Sequence, residues 1–247
     1  MRVDLISWPQ TVFDESKHYE GWEDKDFVNA PYQPHLWSNE EPSDELAEFA
    51  GRACYESWDR PNPDTASNKG YLDNIIKRAH FSVVEHANFT IYITGVSRTL
   101  THELVRHRHF SYSQKSQRYV DESNAQFIIP PVIRDLENAS LRYSLLSSVE
   151  SKMAQARSTY RYIYESLIAE GCSKKEARGA ARSVLPGGTE TSVVVTGNIR
   201  AWREFFGKRI SDGADQEIRE LGEVILDTIR PYAPNSLQDL NWGEDGS

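Results

Sequence analysis

Cysteine is scarce in this 247-residue chain: Cys54 and Cys172 stand alone, far apart and in no Cys-x-x-Cys spacing. That excludes a disulfide-stapled scaffold and a thiolate metal centre, and it fits a reducing compartment. Long apolar runs are also missing, so no segment is suited to cross a bilayer as a helix. The opening MRVDLISWPQ lacks the apolar core of a signal peptide. A soluble, cytoplasmic protein without a membrane partner is the expectation. Basic charge is in deficit, with Lys+Arg 28 against Asp+Glu 37, a net charge of -9 and a pI near 5.3. A broad basic face for duplex nucleic acid is therefore not available. Hydrophobic content of 38% with 26% charged residues is ordinary for a globular chain, and the length suffices for a real core.

The apolar pattern predicts alternating strands and helices. Val3 to Ser7 reads as an opening strand, and the Pro- and Trp-rich stretch that follows, to Pro42, reads as irregular. Ser43 is placed as the N-cap of a helix whose apolar face is Leu46, Phe49, Ala50, Ala53 and Cys54. A turn-rich segment, RPNPDTASNKG, leads to a second helix through Tyr71, Leu72, Ile75 and Ile76. Phe89, Ile91 and Ile93 alternate with polar neighbours up to Gly95, a strand signal. Ser97 then caps a short helix over 98–107. After Ile128 and two prolines, Leu141, Leu145, Val149, Met153, Ala156, Tyr160 and Ile163 mark a long core or interface helix over about 136–170. A helix over 174–185, a buried strand over 193–196, and helices over 198–210 and 215–229 complete the pattern, and NWGEDGS is expected to fray. The expected fold is α+β: one domain over 1–247, with a central, mostly antiparallel sheet flanked by helices.

Against the acidic background, one strongly basic stretch carries no acid. Arg106 to Tyr119 reads RHRHFSYSQKSQRY, in which Arg106, Arg108, Lys115 and Arg118 alternate with hydroxyls, amides and aromatics. Arginine presents a planar fork of donors that matches phosphate and carboxylate oxygens and stacks on flat rings. Ser111, Ser113, Ser116, Gln114 and Gln117 add neutral groups that can orient a captured ligand. A positive island in a negative protein focuses anions, so a pocket for a planar anion such as a nucleotide is one reading. A solvated basic turn that offsets a helix C-terminus is the other.

Five of the seven histidines fall between His80 and His109, yet their spacings form no HExxH or similar metal set, and Arg106 and Arg108 would repel a cation. No metal is expected. The segment from His80 to His86 reads as a structural turn in which Glu85 pairs an arginine. Both cysteines lack a basic neighbourhood in sequence and read as structural. Ser116 has no base beside it and reads as a ligand-positioning residue, not a nucleophile. A second arginine group, Arg178, Arg182, Arg200, Arg203 and Arg209, is ordinary for helix surfaces. Arg182 stands out because it precedes the apolar Val184-Leu185-Pro186, which would turn its head toward a pocket.

Arg106-His107-Arg108, seven residues and then Ser116 resembles the RHR-x7-S signature of the flavin-dependent thymidylate synthases, and Arg118 also fits. The resemblance continues through GRACYESW from Gly51, HFSVVEHANFTIYITGVSR from His80 and ARSVLPGGTETSVVVTGNIRAWR from Ala181. It covers most of the chain and is weakest before residue 45 and in the middle helix.

The resemblance implies an enzyme that converts dUMP to dTMP, with carbon from methylenetetrahydrofolate and hydride from FAD reduced by NADPH. It further implies a homotetramer with shared active sites and no nucleic-acid partner. By position, FAD would meet Ser82, Glu85, Arg106, His107, Arg108, Gln114, Asn198, Ile199, Arg200 and Glu204. The substrate would meet Glu103, Leu104, Val105 and Arg106, then Gln114, Lys115, Ser116, Gln117 and Arg118, then Arg182 and Arg209. Arg182, Arg209 and His80 would carry the catalysis, since guanidinium groups beside uracil can stabilise negative charge that builds on the ring. Glu204 and Gly213 depart from the residues usual at flavin-neighbouring positions, which bears on flavin affinity. A nucleotide- or single-strand-binding protein with a decayed active site is the alternative reading.

Overall fold

The computed structural model describes residues 1–10, 41–57 and 62–240; the irregular stretch and the fraying tail expected above lie largely outside them. Four strands, β1 (Arg2–Ser7), β2 (Asn88–Ser97), β3 (Ser111–Gln114) and β4 (Glu190–Asn198), form one sheet in the order β1-β2-β4-β3. The sheet is antiparallel and the class is α+β. The helices among the described residues are α1 (Pro42–Tyr55), α2 (Asn68–Lys77), α3 (Arg98–Leu104), α4 (Pro131–Arg134), α5 (Ala139–Ala169), α6 (Lys174–Ala181), α7 (Ile199–Arg209) and α8 (Gln216–Ile229). None of them is long and apolar enough to cross a membrane. The described chain gathers into two compact units, each assembled from separated stretches.

The first unit comprises Met1–Asp4, Tyr92–Val195 and Ser211–Leu221. Its buried residues include Ile93, Val193 and Val195 on the inward strand positions, Val96 just past Gly95 where the alternation of β2 breaks, and Leu100 and Leu104 on one face of α3. The inner face of α5 meets α6, yet over its 31 residues only Met153 and Tyr160 are buried. The expected long helix is therefore present, and most of its surface is open in the isolated chain. The expected helix over 174–185 is shorter. Alpha-helical geometry ends at Ala181 and a 3-10 turn, Arg182–Val184, takes over before Pro186, because the residue before a proline disfavours helical backbone.

The second unit comprises Leu5–Ile91, Thr196–Ile210 and Gly222–Ser247. Trp202, Phe205 and Phe206 on α7 pack ring against ring, with centroids 5.7–6.2 Å apart. Gly222 belongs to this packing: a Cβ there would lie 2.8 Å from Ile210.

The apolar reading of α1 is corrected. Pro42 occupies the first turn, where its missing N–H and fixed φ cost nothing. The helix therefore starts earlier than Ser43, and Glu41 is the N-cap. The buried face is polar, built on Asp44, Glu48 and Arg52, whereas Cys54 is exposed. Arg52 donates to Glu48 at 2.5 Å and to the carbonyls of Ser57 and Thr65, and its guanidinium lies 4.5 Å from the Tyr71 ring centroid. Asn68 donates to the Asp44 carbonyl and the Glu48 carboxylate. The Asp44 carboxylate accepts the backbone N–H groups of Asn235 and Ser236. A buried polar face of this kind is stable only because its members satisfy one another, and it leaves no trace in a hydropathy pattern.

α2 ends with Ala79 in the left-handed region, φ 56°. The Ala79 and His80 N–H groups return to the Ile76 and Ile75 carbonyls, the closing geometry usually given to glycine. Ala79→Gly is therefore expected to raise stability by up to about 1 kcal/mol. A thermal melt in which Tm falls would contradict this account.

Candidate functional site

In the first unit the acid-free stretch is held by its neighbours at several points. Ser97 caps α3 by accepting the Leu100 N–H, and its own N–H and hydroxyl donate to the buried Glu217 carboxylate at 2.8 and 2.6 Å. α3 stops at Leu104, three residues short of the expected His107, because the chain turns there. The Tyr112 hydroxyl lies 2.6 Å from the Leu104 carbonyl oxygen and 2.9 Å from that of His107, so one donor brackets the turn that presents Arg106. Burial pushes the Tyr112 phenol far above its ordinary pKa. It therefore stays a donor at working pH.

Part of the acid-free stretch is a strand. Ser111–Gln114 forms β3, and the Lys115 N–H continues onto the Ser192 carbonyl at 2.9 Å. Gln114 donates to Thr101 Oγ1 at 2.9 Å and Thr191 Oγ1 at 3.3 Å. Arg98 donates to the Lys115 carbonyl at 3.4 Å and to the same Thr191 hydroxyl at 3.3 Å. The Ser116 carbonyl accepts the N–H groups of Tyr119 and Val120, and its hydroxyl accepts that of Arg118. Gln117 is buried, and its Nε2 donor has no partner.

Among the described residues, the guanidinium groups of Arg106, Arg108, Arg118 and Arg182 make no ion pair and no side-chain hydrogen bond; all four are exposed. Arg182 ends α6, which a reciprocal Ser173–Glu176 capping box starts. Burial lowers the pKa of Arg98, Glu122 opposes that shift, and the positive charge of Arg182 adds to it. Glu103 is half-buried and Val105 exposed, whereas the Leu104 side chain is wholly buried and offers a ligand only its backbone. Arg178 is committed elsewhere, donating to the Tyr119 carbonyl at 2.7 Å.

The remaining expected site residues lie in the second unit. His80 is exposed and follows the strained Ala79. The turn expected after it is a 3-10 helix, Phe81–Glu85, with Ser82 exposed. Glu85 pairs with Arg200, the partnership the sequence reading anticipates for that carboxylate. The Asn198 side chain accepts the Ala201 N–H and so caps α7. Ile199 is wholly buried, its N–H donated to the Ala87 carbonyl. Glu204 pairs with Lys208 one turn along, and Arg209 is half-buried at the last turn of the helix. Arg203 is an anchor: it donates to both Asp239 oxygens and the Ser236 carbonyl, over the Phe81 ring at 5.1 Å. Among the described residues, no three His, Cys, Asp or Glu side chains converge in a way that could hold a metal ion.

Sequence reasoning missed the scaffold of Arg98, Thr101, Tyr112, Glu122 and Thr191. The inward alternation of β4, where Thr191 shares a face with Val193 and Val195, is the one signal that could have drawn attention to Thr191.

Guanidinium groups without a side-chain partner are of the kind that phosphate and carboxylate oxygens match. Residues 35–235 match the family described as thymidylate synthase complementing protein. Proteins named flavin-dependent thymidylate synthase from Mycobacterium bovis (strain BCG / Pasteur 1173P2) and Mycobacterium tuberculosis (strain ATCC 25618 / H37Rv) are each 48% identical to it, over 87% of this chain and 86% of theirs. That of Mycobacterium avium (strain 104) is 46% identical over the same shares. The chain belongs to the flavin-dependent thymidylate synthase family and is an enzyme.

Proposed function

We propose that this enzyme methylates dUMP to dTMP, with methylenetetrahydrofolate as carbon donor and FAD, reduced by NADPH, as hydride donor, in the cytoplasm. The observation that carries the reading is the set of exposed, unpaired guanidinium groups at Arg106, Arg108, Arg118 and Arg182 in a protein of net charge -9. Several other arginines are matched to acids, as Arg52 is to Glu48, Arg134 to Glu220 and Arg203 to Asp239. Anionic ligands are the missing partners.

The residues fit both molecules. Arg118, Ser116 and the orphaned Gln117 amide would hold the nucleotide through its phosphate and ring edges, with Gln114, Lys115, Arg106 and the backbone of Glu103 to Val105 beside them. Arg182 and Arg209 would stabilise charge on the uracil, and His80 would stand near the reacting groups. Arg106, His107 and Arg108 supply cations and donors suited to the FAD phosphates, with Gln114 beside them. Ser82, Asn198, the Ile199 backbone, Glu85, Arg200 and Glu204 would line the rest. The Glu85–Arg200 pair is about half exposed on both sides, so opening it to admit a phosphate costs little. Bound FAD would supply the redox chemistry that no protein side chain here can perform.

A homotetramer with shared sites belongs to the same proposal. α5 leaves Leu141, Tyr143, Tyr162 and Ile168 exposed, a surface that further copies of the chain would cover.

The purified protein should carry, or take up, a yellow chromophore whose absorbance near the flavin bands bleaches when NADPH is added without oxygen. A protein that stays colourless after incubation with FAD would overturn the flavin assignment.

A further inference from the structure

Glu122 lies just beyond the RHR-x7-S stretch and is 1% exposed. Its Oε1 has no hydrogen-bond partner and stands 3.5 Å from Lys115 Nζ, too far for a tight bond. Its backbone is fixed: the Glu122 N–H reaches the wholly buried Tyr160 hydroxyl on α5 at 3.3 Å, and the Glu122 carbonyl accepts the Ala125 N–H. Lys115, in contrast, is 27% exposed and on a flexible stem. A buried carboxylate is tolerated where hydrogen bonds or neighbouring cations offset its desolvation. Here those cations are Lys115 and Arg98, both of which bear electrostatically on Glu122, and Arg98 in turn feels Arg182.

We propose that Glu122 is a positioning residue that serves as the internal counter-anion of the substrate site, drawing Lys115 inward and weakening the site's hold on an anionic nucleotide. The proposal rests on the dUMP reading above and deepens it. In the free enzyme the carboxylate restrains Lys115 and offsets part of the positive charge formed by Arg98, Lys115 and Arg182. A bound nucleotide phosphate then competes with it for the same cations. Burial raises the Glu122 pKa, and Lys115 and Arg98 oppose that shift. Affinity is thereby limited, which lets a product carrying the same phosphate leave.

The sign of the effect separates this role from a structural one. Glu122→Gln keeps the shape and removes the charge, so dUMP should bind at least about threefold more tightly, with a steeper dependence on salt. KM for dUMP and kcat should fall together as product release slows. Glu122→Asp, which retains the charge, should stay within about twofold of the wild type. Glu122→Met, an apolar replacement that burial favours, should reproduce the Gln effect and covers the case in which the Gln variant does not fold. Titration calorimetry with dUMP, beside a thermal melt, reads all four proteins. Unchanged or weaker binding in a folded Gln or Met variant would overturn the proposal. A wild-type protein that binds no dUMP would instead overturn the substrate assignment itself.

Discussion

Arg182→Ala is expected to lower kcat/KM for dUMP by about two to three orders of magnitude, the cost of removing one preorganised donor from a site of developing negative charge. The structure makes this substitution clean. Among the described residues Arg182 has no ion pair or hydrogen bond to lose, so no buried partner is orphaned when the side chain is cut back. Its position at the end of α6 gives a favourable helix-dipole contribution, and losing that costs at most about 1 kcal/mol. Tm should barely move, and flavin should remain bound. Arg209→Ala should behave alike in turnover. Steady-state kinetics with absorbance of the purified variants decides the matter, and full activity in both would remove these arginines from the mechanism.

The largest loss of stability is expected at Arg52. Its side chain is 2% exposed and that of Glu48 1%, and the guanidinium also satisfies the carbonyls of Ser57 and Thr65. Arg52→Ala leaves a buried carboxylate and two carbonyls without their donor, at a cost of about 3–5 kcal/mol. For a chain of this size that lowers Tm by roughly 10 °C. Pairing it with Glu48→Gln should recover part of the loss, since the uncompensated charge is then gone. A calorimetric melt of Arg52→Ala within about 2 °C of the wild type would show that the network contributes far less than its burial implies.

Strands β2 and β4, α2, α7 and α8 were legible because each buries an apolar face whose period the sequence displays. The basic stretch drew attention because a cluster of arginines in an acidic chain is a chemical signal independent of fold. α1 was misread because its buried face is made of Asp44, Glu48 and Arg52, whose partners Asn68, Asn235 and Ser236 come from remote stretches. No local rule reports such a pairing. The same is true of β3, which is too short for alternation to show and exists because β4 offers its edge. Glu122 was passed over for a related reason: a buried acid looks like a surface residue until the ammonium group it faces is known.

The Tyr112 hydroxyl shared between the Leu104 and His107 carbonyls carries a consequence for alkaline conditions. Because burial holds that proton well past the normal phenolic range, the contribution is whole below the unfolded tyrosine's pKa, near 10, and declines as pH climbs toward the folded value. The bend that aims Arg106 is in effect latched by a single hydrogen. It would stay latched in mildly basic solution and come undone only where the phenolate begins to form.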